Sequence, residues 1–171
     1  MHPEAYEHCR RFVAQYLVNP RYLVNHDNLV VLDIGAQAVG EEPNCLRPLF
    51  STGYVGFDIA EGANVDVVME PYYIPVPDYS ADIVVSSSCF EHVAFFWKLF
   101  DEMVRVLAVG GFLWLDVPSA GPVHWGADYW RFLPDCWAAL RDWNGHVELV
   151  EQSLGGSETW VDNVAVFRKT Q

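Results

Sequence analysis

Basic residues are scarce in this chain. Lys and Arg number 10 among 171 residues, against 23 Asp and Glu, a formal balance of −13. A surface that acidic repels phosphate backbones, so nucleic acid is not an expected partner. Cys9, Cys45, Cys89 and Cys136 form no Cys-x-x-Cys pair. Their spacing offers neither a zinc knuckle nor a disulfide framework, and a reducing cytoplasm is the expected compartment. No apolar run approaches the roughly 20 residues that span a bilayer, and the opening Met-His-Pro-Glu-Ala-Tyr-Glu-His lacks the basic and apolar regions of a secretion signal. Gly-x-Ser-x-Gly is absent, which argues against serine-type hydrolysis. The six histidines never fall at i, i+4 on one predicted helix, so no metal site is expected. Internal repeats and low-complexity tracts are also missing. What is left is 51% apolar and 19% charged, the composition of one packed globular domain.

Hydrophobic periodicity divides the chain into alternating elements. Cys9, Phe12, Val13 and Tyr16 predict an amphipathic helix over 4–18, stopped by Asn19-Pro20. Strands are predicted at 29–33, 54–58, 65–69, 82–86 and 112–117. A short helix is expected over 43–50, opened by Pro43, and three prolines make 71–80 a loop. The clearest helix is 93–107, with Phe96, Leu99, Phe100, Met103 and Leu107 on one face and Gly110-Gly111 closing it. A long aromatic loop over 118–133, a helix over 134–143 and strands over 146–152 and 163–168 complete the chain. Alternating strands and helices imply a doubly wound, seven-stranded, mostly parallel sheet with helices on both faces. The helices are reduced between strands two and four, and the last strand is antiparallel. Within a single domain of 1–171, residues 1–20 form an N-terminal helix, 28–117 a cofactor-binding half, and 118–171 the acceptor-side loop, helix and final strand pair.

The most informative stretch is Asn28-Leu-Val-Val-Leu-Asp33-Ile-Gly35-Ala-Gln-Ala-Val-Gly40, answered by Tyr54-Val-Gly-Phe-Asp58. A tight turn after one buried strand and a carboxylate after the next is how a parallel sheet frames an adenosine. Glu41 and Glu42 follow the turn, and no Lys or Arg appears before Arg47. A pyrophosphate there would meet like charge at a cost of up to about 4 kcal/mol per close pair. Gly35-Ala-Gln-Ala-Val-Gly40 also places only its first glycine as a dinucleotide fingerprint requires, which argues against a nicotinamide-dependent reductase. A cationic adenosine ligand suits the pocket, and S-adenosylmethionine is one.

With Gly62-Ala-Asn-Val-Asp-Val-Val-Met-Glu70, Phe90-Glu91-His92-Val93, Arg105-Val-Leu-Ala-Val-Gly110-Gly111 and Asp128-Tyr-Trp-Arg-Phe132 in order, the chain resembles a class I S-adenosylmethionine-dependent methyltransferase of the small Methyltransf_11-like group, over roughly 28–152. The resemblance implies that Asp33 and Gly35 lie beside the cofactor's methionine portion, with Ala36 and Gln37 also among the cofactor-binding residues. It implies that Asp58 accepts from both ribose hydroxyls, Ile59 packs on adenine, and Glu70 with the backbone at Pro71 meets the adenine amino group. Carbonyls at Ser86 and Ser87 would hold the ammonium. The family turn reads acid-x-Gly-x-Gly-x-Gly, whereas Gln37 and Val39 replace its second and third glycines here. Gln37 therefore either turns outward or fills cofactor space. The second outcome would make the chain a non-catalytic binding or assembly module.

Methyl transfer from a sulfonium needs alignment and dryness more than a fixed triad. Candidate acceptor-side residues are His92, as base or as loop anchor, together with His124, Tyr129 and Arg131. Arg131 either clamps an acidic acceptor or pairs with Asp128 or Asp135. Tyr72, Tyr73 and Tyr79 could line the adenine side or stiffen their loop, and Phe95 and Trp97 could wall the acceptor site or join the core. Trp130 and Phe132 read as lid aromatics. The expected acceptor is a small molecule or a saccharide-linked group, and a homodimer is compatible with the sequence.

Overall fold

The computed structural model describes residues 3–18, 28–39, 45–50 and 53–171. Helix α1 (Pro3–Phe12) continues as a wider turn, Val13–Leu17. Strand β1 (Val31–Ile34), a single turn at Arg47–Leu49, β2 (Tyr54–Asp58) and a two-residue β3 (Val67–Val68) follow. Then come β4 (Ala81–Ser87), one turn at Phe90–His92, α2 (Phe96–Val106), β5 (Leu107–Ala120), α3 (Cys136–Asn144), β6 (Val147–Gly156) and β7 (Val161–Lys169). The sheet order is β3-β2-β1-β4-β5-β7-β6. β1 to β5 run parallel, and β7 lies antiparallel between β5 and β6.

Alternation along the buried strands builds two cores. Leu32, Ile34, Val84, Leu113, Leu115 and Phe167 face α2 and α3, where Leu99, Phe100, Met103 and Trp137 meet them. Val31, Ile83, Val85, Trp114 and Val166 face the other way, onto Cys9, Phe12 and Tyr16 of the N-terminal helix. Each fully buried large side chain contributes about 1.5–3 kcal/mol, so α2, with five buried residues, is held chiefly by its apolar stripe. Its C-terminal end is also closed from a distance. Lys169, 4% exposed, donates to the carbonyls of Val104 (2.7 Å), Leu107 (2.8 Å) and Arg105 (3.3 Å). A cation there complements the helix dipole, while burial pulls the ammonium below its usual value.

Several boundaries differ from the sequence expectation. The first helix leaves α-geometry after Phe12, and Asn19-Pro20 lie outside the described residues. Of the helix expected over 43–50, the described part is one turn at Arg47–Leu49; Pro43 lies outside. Strand three shrinks to Val67–Val68: Asp66 N still donates to Gly56 O, but Gly56 N donates to the Asp66 carboxylate, shared with Arg47, in place of a backbone carbonyl. Gly110-Gly111 does not end α2. The chain enters β5 at Leu107, and the doublet sits where the register with β4 slips, Ala81 pairing Leu107 and Ile83 pairing Phe112. The final strands are longer than expected, because each finds a full-length partner.

Candidate functional site

The cleft begins at the turn after β1. Gly35 has φ +81, and a Cβ there would lie 2.6 Å from Cys89 Sγ, so only glycine fits both the conformation and the space. The turn is laced to β2: Gly35 N and Ala36 N donate to Phe57 O at 2.9 and 3.0 Å. Gln37 N donates to Asp58 Oδ2 at 3.0 Å, and Ile59 N donates to Oδ1 at 2.7 Å. Both oxygens of Asp58 are thereby fixed in direction at the rim. The Gln37 side chain folds toward the loop after β2, where Nε2 donates to Glu61 O at 3.1 Å.

Beneath the turn lies a polar network. Tyr54 donates its hydroxyl proton to Asp33 and accepts from Asn64 Nδ2 at 2.9 Å; the same amide donates to Ala36 O at 2.8 Å. Arg47 donates to Asn64 Oδ1 (2.8 Å) and Asp66 Oδ2 (2.6 Å), with its guanidinium 4.4 Å from the Tyr54 ring centre. Burial pushes the Asp33 carboxyl up to about 7, against the lowering effect of the Tyr54 hydrogen bond. A cationic ligand near Asp33 would favour its ionised form.

The opposite wall comes from the end of β4 and the loop after β5. Glu91 is 1% exposed, its Oε2 has no partner among the described residues, and burial raises its carboxyl to about 7. His92 Nδ1 lies 2.6 Å from Ala127 O, so it carries the proton and donates it. The His92 and His124 rings meet edge-on, centres 5.0 Å apart. Asp128 is the hub of this loop: it accepts from His124 N (2.9 Å) and from Arg131 Nη1 and Nη2 (2.5 and 2.8 Å), with His124 Nδ1 at 3.2 Å. The bidentate Arg131 contact holds its carboxyl well below the usual range.

These walls enclose a cleft of about 570 Å³, within the size range of small-molecule sites. Gly35, Gln37, Asp58, Ile59, Pro71, His92, His124 and Tyr129 all line it. A recess of about 70 Å³ adjoins it through the shared Gly35, Gln37, Val39 and Ser88, and is lined also by Asp33, Ala36 and Ser87. The structure thus gathers most of the residues singled out in the sequence.

Three stand apart. Ser86 lines neither space, and its Oγ donates to Ile34 O at 2.7 Å inside the sheet. Glu70 is exposed beside Pro71 and lines neither space. Arg131 is taken up by Asp128 and by the carbonyls of Pro122 (2.7 Å), Trp130 (2.7 Å) and Gly121 (3.3 Å), so it orders the loop and does not face the cleft. Of the two pairings open in the sequence, Asp128 is the one made. Trp97 packs against Phe96, and Phe132 is buried among Phe90, Phe96 and Trp137. Sequence reasoning passed over Glu91 as a site residue. Nothing in a local pattern separates a buried acid from a solvated one.

Residues 32–115 match the family described as a methyltransferase domain. No curated protein sequence matches the chain. Among solved structures, the fold is shared with Burkholderia thailandensis 1,6-didemethyltoxoflavin-N1-methyltransferase with bound 1,6-didemethyltoxoflavin and S-adenosylhomocysteine. That likeness has TM-score 0.68 and 16% identity, covering 98% of this chain and 85% of that one. A chain of the Haloferax volcanii complex containing the Trm112 methyltransferase activator has TM-score 0.67 and 16% identity, with 98% and 91% covered. The cyclase SpnF has TM-score 0.68 and 13% identity, with 96% and 82% covered. One fold therefore carries more than one chemistry. No helix among the described residues is long and apolar enough to cross a membrane.

Proposed function

We propose that this chain, which carries a methyltransferase domain at residues 32–115, moves the methyl group of S-adenosylmethionine to a small-molecule or saccharide-linked acceptor by in-line displacement. The observation that carries this reading is Asp58, both of whose oxygens are aimed by backbone N–H groups at the lip of the cleft, next to the Gly35 turn. A carboxylate so fixed suits the two hydroxyls of a ribose. S-adenosylmethionine supplies an activated methyl group on a sulfonium, so the protein's work is placement and exclusion of water.

The chain's own residues divide that work. Gly35, Ala36 and Gln37 offer backbone beside the methionine portion, with Asp33 and Ser87 in the adjoining recess. Ile59 and Pro71 offer apolar surface for adenine. Glu70 and Ser86 keep at most backbone roles, since their side chains do not reach the cleft. At the other end His92, His124 and Tyr129 face the acceptor, and Arg131 positions their loop through Asp128. The acidic balance of −13 disfavours a polyanionic acceptor.

The rival reading, a non-catalytic module, requires Gln37 to fill the cofactor's place. Its tether to Glu61 O favours an open cleft instead. Isothermal titration with S-adenosylhomocysteine tests the proposal. Binding with a dissociation constant in the micromolar range is expected, and no heat at millimolar ligand would overturn it.

A further inference from the structure

At the acceptor end of the cleft two lining histidines, His92 and His124, meet the buried carboxylate of Glu91, which itself lines neither space. Glu91, His92 and His124 each place one ligand atom within 4.8 Å of the others. His92 Nε2 lies 3.7 Å from Glu91 Oε1, and Glu91 Oε2 is buried without a hydrogen-bond partner among the described residues. An orphaned carboxylate oxygen in a 1% exposed residue is an expensive arrangement unless something cationic meets it.

The outer contacts make the same point. His92 donates Nδ1–H to Ala127 O at 2.6 Å, which leaves Nε2 with a free lone pair. His124 Nδ1 lies 3.2 Å from Asp128 Oδ2, and that carboxylate is itself fixed by Arg131. Imidazoles whose far nitrogen is anchored to an oxygen acceptor are oriented as metal ligands are.

We propose that Glu91, His92 and His124 bind one divalent transition-metal ion of the zinc or cobalt kind, at the acceptor end of the cleft. A set of two imidazoles and one carboxylate suits such ions better than magnesium or calcium, which take oxygen ligands. Metal–ligand bonds of about 2.0–2.2 Å set the ligand atoms about 3.3 Å apart around a tetrahedral ion. The three side chains therefore draw together by roughly 1 Å, and His124, 37% exposed on its loop, supplies the freedom. Three protein ligands leave a position open toward the cleft that His92 and His124 line.

Its use rests on the methyl-transfer reading. A hydroxyl of the acceptor ligated at the open position releases its proton to solvent, and its oxygen forms the new O–C bond as the sulfonium S–C bond breaks, the electron pair remaining on sulfur. The acceptor class is then an oxygen nucleophile able to bind a metal.

Cobalt(II) titration of the whole chain, followed by visible absorption and calorimetry, tests the site. Wild type takes up one equivalent with the intense bands of four- or five-coordinate cobalt. His92→Ala and His124→Ala each weaken uptake by at least roughly 10–100-fold, while retained S-adenosylhomocysteine binding shows that each variant is folded. His8 also lies close to Asp116 and Asp162, so His8→Ala is the control and keeps the cobalt signal. Absence of cobalt binding by wild type, or its loss in His8→Ala and retention in His124→Ala, overturns the proposal. Cobalt binding without any S-adenosylhomocysteine binding leaves the metal site standing and removes the methyl-transfer reading.

Discussion

The side chain of Gln37 rests where a side chain on residue 62 would have to go: a Cβ added to Gly62 would come within 2.8 Å of Gln37 Cγ and 2.9 Å of Cδ. The glutamine of the first turn thus leans onto a glycine of the loop after β2. Gly62→Val should expel the amide from its Glu61 contact toward the cleft. Affinity for S-adenosylhomocysteine should fall about tenfold, or about 1.4 kcal/mol, with stability changed by about 0.5 kcal/mol or less. Gln37→Ala added to Gly62→Val should restore it. Calorimetry on the four variants of this cycle decides the matter, and an unaffected single variant would show that the contact is inconsequential.

Gly35→Ala should be more damaging to the fold. The φ of +81 and the approach to Cys89 penalise any side chain at this position. A loss of about 1–3 kcal/mol is expected, seen as a melting temperature lower by several degrees, and cofactor binding should weaken alongside.

Asp33 gives stability a pH dependence of definite sign. Its carboxyl is raised from 3.8 to about 7 by burial, so the folded chain holds that proton more tightly than the unfolded one. The contribution favouring the fold is complete below about 4 and is lost as pH rises to about 7. Wild type minus Asp33→Asn, measured by urea unfolding across this range, should therefore fall with pH by roughly 1–4 kcal/mol. At neutral pH the variant should also lose more affinity for S-adenosylmethionine than for the neutral thioether product, since only the former carries a sulfonium charge.

The loop over the acceptor end depends on one ion pair. Arg131→Lys keeps the charge but loses the bidentate grip on Asp128 and the bonds to Pro122 and Gly121 carbonyls. A destabilisation of about 1–3 kcal/mol is expected, together with faster hydrogen exchange at Tyr129, whose N–H is bonded to Glu91 O at 2.7 Å. The depressed Asp128 carboxyl favours the fold above its unfolded value, a contribution lost as pH falls through the folded one.

Lys169→Met should cost about 2–3 kcal/mol, because three carbonyls at the end of α2 lose a charged donor. The measurement is the denaturation midpoint, with loss of α2 helicity as its signature.

Local pattern made the central sheet legible. Buried parallel strands are continuous apolar runs, and those at β1, β2 and β4 are found within a residue or two of their sequence bounds. Asp33, Gly35 and Asp58 were readable for the same reason, since they cap those runs. Less legible was whatever depends on chain segments meeting. His124 reaches His92 across an irregular loop, and Tyr54 reaches Asp33 from the far end of its strand. Helical periodicity in histidines could not reveal a cluster built from two loops. Nor could the sequence tell where the Ser86 hydroxyl points, since a strand-end serine looks the same whether its Oγ faces a ligand or, as here, the carbonyl of Ile34.

The place of β7, between β5 and β6, also governs how the sheet can be assembled. As the chain emerges from a ribosome, β6 is made first and lacks its native hydrogen-bonding partner until its successor has slotted in beside β5. The outer third of the sheet must close in a single late, non-local event, and such closures are slow on topological grounds. Until then the long edge of β5 is bare, and nascent chains stalled within β7 should be the species that recruits chaperones.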